Sequence, residues 1–369
     1  MTGADGFLGW HARCALHARV GYEVVPISRT ATIDIGSLDK ALTGVDAVLH
    51  LAGVNRAAND ETMNDNVSLA RQLTDSLDRT ESRPHVVYAN SIQAGSPTPF
   101  GQTKQAAADH LTNWALRTGA QVSDVHLPNL FGEHGRPNYN SVVATFSHAL
   151  AHGDNPQIIE DRVVPLLHVQ DALDHMLDLI DRDVTGLSKP TGTPFTVSAV
   201  LGKLQGFRDL YVTGDIPDLS SRFDRALFNT FRSFWFPDRY PFYPEVRSDS
   251  RGGLFECVRS RGGQAQVFCS TTKPGVTRGK HFHLRKVERF LVLRGEATIS
   301  LRRLFDETII RFDVVGGRPA IVDMPTMWTH SISNTGTEEL TTLFWADEIP
   351  NSGSSDTYPE PVELTKETA

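Results

Sequence analysis

The chain has 369 residues, 40% of them hydrophobic and 22% charged, with 29 glycines and 20 prolines. That profile excludes a single small module and a disordered, collagenous or coiled-coil chain, and it predicts two or three globular domains. Lys and Arg number 36 against 44 Asp and Glu, a formal charge of −8, and no long block of like charge occurs, which argues against a nucleic-acid-binding face.

Cys14, Cys257 and Cys269 are far apart and form no C-x-x-C pair, so neither a disulfide framework nor a thiolate metal site is predicted. No apolar run is long enough to span a membrane, and the opening Met1-Thr2-Gly3-Ala4-Asp5-Gly6 lacks the basic and apolar regions of a secretory signal. A reducing cytoplasm is the expected compartment.

The first motif is the loop Thr2-Gly3-Ala4-Asp5-Gly6-Phe7-Leu8-Gly9. Glycines three apart suit a tight strand-to-helix turn whose N–H groups approach a pyrophosphate, although a plain glycine-rich turn has the same spacing. Short apolar runs at 23–27, 47–52, 85–89 and 122–127 alternate with helical spacing over 68–77 and 103–116, which predicts βα units on a parallel sheet. Ser28-Arg29 follows the first of these runs. An Arg there, in place of an acidic residue, favours the 2′-phosphate of NADP over the ribose hydroxyls of NAD.

Residues 186–245 read as a helical extension and connector that completes a first domain of 1–245. From 246 to 350 the texture changes to closely spaced strand-like runs at 264–270, 289–293, 297–302, 307–312, 320–322 and 340–345, separated by turn signals such as Lys273-Pro274-Gly275 and Asn334-Thr335-Gly336. These predict a small antiparallel barrel. Residues 351–369 read as a poorly ordered tail. The predicted fold class is thus α/β plus all-β, a Rossmann-type doubly wound sheet followed by an antiparallel barrel.

Within the barrel, Gly275 is followed after five residues by His281-x-His283, after four more by Glu288, and after six more by Gly295. Alternate positions of a strand share one face, so His281 and His283 project together, with Glu288 from the next strand and His330 from a returning one. Three imidazoles and a carboxylate suit a divalent metal such as Zn²⁺, Fe²⁺, Mn²⁺ or Ni²⁺, and Zn²⁺ is taken as the expectation. Barrel-interior residues satisfied by hydrogen bonds are the alternative.

The glycine loop, His50-Leu51-Ala52-Gly53-Val54-Asn55-Arg56, Ser91-Ile92-Gln93-Ala94 and Pro128-Asn129-Leu130-Phe131-Gly132 resemble an extended short-chain dehydrogenase/reductase. With Pro137-Asn138-Tyr139-Asn140-Ser141-Val142 and the histidine spacing, they resemble the CapF-type bifunctional family of capsular polysaccharide synthesis, a reductase domain followed by a cupin. In the second cupin motif Pro325, His330 and Asn334 match, and Met327 stands at the usual glycine.

The resemblance implies NADP(H) bound by Gly3, Gly6, Phe7, Gly9, Arg29, Ala52, Gly53, Lys104, Pro128 and Asn129, and a metal on His281, His283, Glu288 and His330. It also implies a homodimer, and a UDP-linked 2-acetamido-2,6-dideoxy-4-ketohexose epimerised at C3 in the cupin and reduced at C4 by NADPH. Ser91 corresponds to the carbonyl-binding serine, while Lys273, Lys280 and a metal-bound water are candidate proton carriers for the epimerisation.

Two departures from the family pattern stand out. Only Met1 precedes Thr2, so the sheet is expected to lack its first strand. The family's Tyr-x-x-x-Lys reads Phe100-Gly101-Gln102-Thr103-Lys104, so reduction is expected to be slow unless Ser91, Thr98 or Tyr139 supplies the hydroxyl. The alternatives are a pseudo-reductase joined to an active cupin, and a metal-dependent sugar-binding cupin.

Overall fold

A computed structural model of the chain describes residues 1–28, 34–55, 65–349 and 355–364. The chain divides into two compact units, one of Met1–Phe131, Tyr139–Ser141 and Arg162–Thr196, the other of Gly132–Asn138, Val142–Asp161 and Val197–Ala369. Residues 197–245, read from sequence as part of the first domain, pack with the strand-rich half.

The first unit holds helices α1 (Phe7–His17), α2 (Ile35–Leu42), α3 (Asp65–Arg79) and α4 (Pro99–Thr118) and strands β1 (Ala47–His50), β2 (His85–Ser91) and β3 (Gln121–Leu127). After β4 (Asn129–Phe131) and helix α5 (Val142–Ala151) of the second unit come β5 (Val163–His168), α6 (Val169–Asp181), β6 (Gly186–Ser188) and β7 (Thr193–Thr196). Strands β1, β2, β3 and β6 form a parallel sheet in that order, and β4, β5 and β7 form a smaller mixed sheet in which β5 and β7 run antiparallel.

The centres of β1 and β2, Val48-Leu49 and Val86 to Ala89, read as continuous apolar runs because helices cover both faces of the sheet. Val87 and Ala89 point to the side of α1 and α6, where they meet Ala12, Leu16, Leu173 and Met176. Val86 and Tyr88 point to the other side, against Leu73, Leu77, Leu111 and Trp114 of α3 and α4.

Thr2 makes parallel bridges to both His50 and Ile27, and the Met1 carbonyl accepts from the Ile27 N–H at 2.8 Å. The position of the first strand is thus held by Met1 and Thr2. The strand expected over 23–27 is present only as the bridge at Ile27.

In the second unit, α7 (Val197–Tyr211) and α8 (Arg222–Trp235) precede the strands β8 (Arg247–Asp249), β9 (Gly252–Leu254), β10 (Gln266–Thr272), β11 (Thr277–Phe282), β12 (Glu288–Arg294) and β13 (Glu296–Arg303). The remaining strands are β14 (Ile309–Val315), β15 (Ile321–Met324), β16 (Trp328–Asn334), β17 (Leu340–Ala346) and β18 (Tyr358–Pro359). Two antiparallel sheets, β10-β17-β12-β15 and β14-β13-β16-β11-β18, make the cupin-like domain.

On β12, successive side chains point to opposite faces. Arg289 donates to both carboxylate oxygens of Asp323, at 2.6 and 2.9 Å, and Asp323 also accepts from Tyr211 of α7 at 2.7 Å. This buried, fully partnered group locks Arg289 under the helices and turns Glu288 to the barrel interior.

The chain end differs from the expected poorly ordered tail over residues 355–364. Strand β18 pairs with β11, Val362 is buried, and the Arg302 guanidinium donates to the Val362 carbonyl and the Glu360 carboxylate. A buried Arg held by chain-end acceptors outweighs the disorder that the composition favours. No helix among the described residues is long and apolar enough to cross a membrane.

Candidate functional sites

The first unit gathers the motifs singled out in its sequence where ligands bind in open α/β sheets, beyond the carboxyl ends of parallel strands. Gly3 follows the Thr2 bridge, Ala52 and Gly53 follow β1, Ser91 ends β2, and Pro128 and Asn129 follow β3. Gly3 has φ 68, and a Cβ there would lie 2.7 Å from the Ala52 nitrogen; one on Gly9 would lie 2.0 Å from the Gly3 carbonyl oxygen. Only glycine allows this turn to close against both the next strand and α1. Gly6 caps α1 without a side-chain hydrogen bond, so the N–H groups of Phe7 and its neighbours face the loop, a setting for a phosphate. The side chains and backbone present therefore fit a dinucleotide. Arg29, the expected 2′-phosphate partner, lies outside the described residues.

Asn66, which the sequence reading did not single out, braces this cradle. Its side-chain oxygen accepts from the Val54 N–H at 2.9 Å and its amide nitrogen donates to the Val54 carbonyl at 3.1 Å. The only sequence signal was a polar residue among the buried positions of an amphipathic helix.

Phe100 and Lys104 lie one turn apart at the start of α4, whose N-cap Thr98 accepts from the Gly101 N–H at 3.1 Å and pairs with Ser96 at 2.9 Å. Thr98 is thereby committed to the cap. Ser91 accepts from the Gln93 N–H at 3.2 Å, while its own N–H donates to Asn90 at 2.9 Å. Tyr139 is half-buried.

Lys104 is buried, donates to the Ala89 carbonyl at 2.8 Å and stands 4.7 Å from the centre of the Tyr88 ring. Burial lowers its pKa from 10.5 to about 8, against an opposing pull from Asp124. Between pH 8 and 10.5 the unfolded chain keeps a proton that the folded one has lost, so stability rises with pH in that window. Lys104→Met is expected to be more stable than the natural protein at pH 7, by on the order of 3 kcal/mol, and to lose that advantage by pH 10.5. Denaturation midpoints across this range check it; a difference independent of pH would contradict it.

In the second unit, His281 and His330 face each other across the β11–β16 ladder. The approach requires a bulge between Gly279 and His281: Gly279 has φ 94, and a Cβ there would lie 2.8 Å from the His330 carbonyl oxygen. Oε2 of Glu288 lies 3.1 Å from His283 Nε2, 3.2 Å from His330 Nε2 and 3.9 Å from His281 Nε2. The four ligand atoms fall within 4.8 Å of one another.

Burial alone would push the Glu288 carboxyl up, but hydrogen bonds from the three histidines hold it well below its ordinary value. Burial holds His330 neutral, lowering its pKa to about 4. A charged carboxylate beside a neutral His330, with three imidazoles and a carboxylate converging, is a donor set that fits a divalent first-row ion.

Met327 takes φ 60, the left-handed conformation of the glycine it replaces. Its N–H donates to the His283 carbonyl at 2.7 Å and its carbonyl accepts from Leu304 at 3.1 Å, so the turn forms without glycine.

Lys273 and Lys280 are exposed, the first in the turn before β11 and the second within the bulge. Neither has a hydrogen bond or ion pair to the cluster among the described residues. Lys286 instead lies close by, with Nζ 3.8 Å from Glu288 Oε1 and bonded to Thr357 at 3.0 Å. It sits in the loop between ligand strands, where no periodicity reveals which way a side chain turns.

Residues 1–190 match the NAD dependent epimerase/dehydratase family, and residues 247–358 match the polysaccharide biosynthesis C-terminal domain. A UDP-2-acetamido-2,6-beta-L-arabino-hexul-4-ose reductase of Pseudomonas aeruginosa is 32% identical over 364 residues, 97% of each chain. The crystal structure of the capsular polysaccharide assembling protein CapF from Staphylococcus aureus is 30% identical with a TM-score of 0.63, covering 98% of this chain and 99% of that one. The same protein in another crystal form is 27% identical with a TM-score of 0.56, over 98% of both chains. With a family match across more than half its length and a relative aligned almost end to end, the chain belongs to the NAD-dependent epimerase/dehydratase family and carries a polysaccharide biosynthesis C-terminal domain.

Proposed function

We propose that this chain is a bifunctional nucleotide-sugar enzyme that supplies a precursor of capsular or other surface polysaccharide. Its histidine–carboxylate cluster epimerises C3 of a UDP-2-acetamido-2,6-dideoxy-4-ketohexose, and its first unit reduces C4 with NADPH. The observation that carries the reading is the convergence of His281, His283, Glu288 and His330 within 4.8 Å in a chain whose near full-length relative is named for a UDP-4-ketosugar. The protein is placed in the cytoplasm as a homodimer, and NADPH preference rests on Arg29.

A 4-keto group acidifies the neighbouring C3–H, so epimerisation needs removal of that proton and its return to the other face. When bound, a divalent metal, Zn²⁺ in this reading, supplies a Lewis acid for the charge that develops on the ketone oxygen. His281, His283, Glu288 and His330 would hold it. Lys273 and Lys280 are candidates to carry the proton, and Lys286 adds an amine beside Glu288.

In the first unit, a bound nicotinamide supplies hydride to the carbonyl carbon. Ser91 would hold the carbonyl oxygen and Lys104 the nicotinamide ribose. Phe100 cannot protonate the product oxygen, which favours a second reading of the first unit as a pseudo-reductase.

Incubation with the UDP-4-keto-6-deoxy sugar in D₂O, with and without NADPH, distinguishes these. Deuterium at C3 together with loss of absorbance at 340 nm supports two activities. Exchange alone supports the pseudo-reductase, and neither signal supports a sugar-binding module.

A further inference from the structure

We propose that residues 355–364 form a wall of the metal site, with Asp356 as the positioning residue that fixes His283. The proposal rests on the metal assignment above and concerns what makes the site competent to bind.

The three-residue stretch after His283 turns the chain from β11 towards β12 and presents three successive backbone N–H groups to the chain end. All three are gathered by one side chain: the Asp356 carboxylate accepts from Leu284 at 2.9 Å, Arg285 at 2.7 Å and Lys286 at 2.7 Å. The Asp356 backbone carbonyl lies 2.5 Å from His283 Nδ1. A carbonyl can only accept, so Nδ1 carries a proton and Nε2 is the nitrogen directed at Glu288 and the metal position. This is the outer partner that metal-ligating histidines ordinarily have, and here it comes from the end of the chain.

Further contacts hold the strap against the strands that carry the other ligands. Phe282 and His281 of β11 pair with Tyr358 and Pro359, and the Glu360 N–H donates to the Lys280 carbonyl at 2.9 Å. On β16, next to His330, Thr329 donates to the Glu360 carbonyl at 2.6 Å. Lys286 reaches Thr357. The strap therefore touches the backbone beside His281, His283 and His330. Coupling between sites is reciprocal, so metal binding should tighten the strap and loosening the strap should weaken the metal.

The test compares Zn²⁺ affinity of the full chain, by chelator competition, with that of Asp356→Ala and Asp356→Asn. Loss of such outer partners typically costs 10–100-fold in affinity, and that loss is expected for the alanine variant. The asparagine variant, which keeps one acceptor oxygen, should fall between. Hydrogen exchange on the natural protein provides the second measurement: the amides of Leu284, Arg285, Lys286 and Glu360 should exchange more slowly with Zn²⁺ than without.

A folded Asp356→Ala that binds Zn²⁺ as tightly as the natural protein would overturn the proposal while leaving the metal site standing. If the alanine variant does not fold, exchange decides, and unchanged protection of those four amides overturns it. Failure of the natural protein to bind Zn²⁺ would overturn the metal assignment itself, and this proposal with it.

Discussion

Phe100→Tyr is expected to raise the rate of NADPH oxidation with the UDP-4-ketosugar by on the order of 10²-fold or more, with C3 exchange unchanged. A general acid contributes typically ~10²–10⁴ to such a step, and the surroundings that would serve the phenol are present. Phe100 is only partly buried, so the added hydroxyl need not enter a closed core. Lys104 lies one turn along the same helix face, buried and with a pKa of about 8. Of the hydroxyls weighed as substitutes, Thr98 is tied into the α4 cap, which leaves Ser91 and Tyr139. The readout is absorbance at 340 nm under saturating NADPH. Brisk turnover by the natural protein would show that another group donates the proton, and no gain in the tyrosine variant would show that the first unit has lost more than one catalytic group.

His283→Ala should abolish both metal content and C3 exchange, leaving NADPH binding intact. His283 is buried, its Nε2 faces Glu288 at 3.1 Å and its Nδ1 is held by a carbonyl. Elemental analysis of the purified natural protein should find close to one transition metal per chain, falling sharply in the variant. Full metal content in a variant lacking both His281 and His283 would remove the assignment.

The metal cluster was legible because strand periodicity is rigid. An interval of one residue between His281 and His283 puts both on one face, and the short spacing to Glu288 suits a turn back to the facing sheet. The helix-covered strand β2 was equally plain, since Val86 to Ala89 are apolar on both faces. What escaped the sequence depends on contacts between residues far apart in the chain. The bulge at Gly279 exists because β11 approaches the His330 carbonyl, and the Asp356 strap forms because one carboxylate near the chain end accepts from three successive N–H groups. Lys286 faces Glu288 through a loop with no period to read. The packing of α7 and α8 with the strands also depends on distant partners, Tyr211 with Asp323 and Arg232 with the Met324 carbonyl, which composition over 186–245 does not disclose.

The most direct measurement of the central claim is deuterium incorporation at C3 of the UDP-4-keto-6-deoxy sugar in D₂O, without NADPH, by protein as isolated, stripped of metal by chelation and reloaded with Zn²⁺. If His281, His283, Glu288 and His330 hold the ion that makes the C3–H acidic, exchange disappears on stripping and returns on reloading. Exchange that persists at full rate in metal-free protein would contradict it.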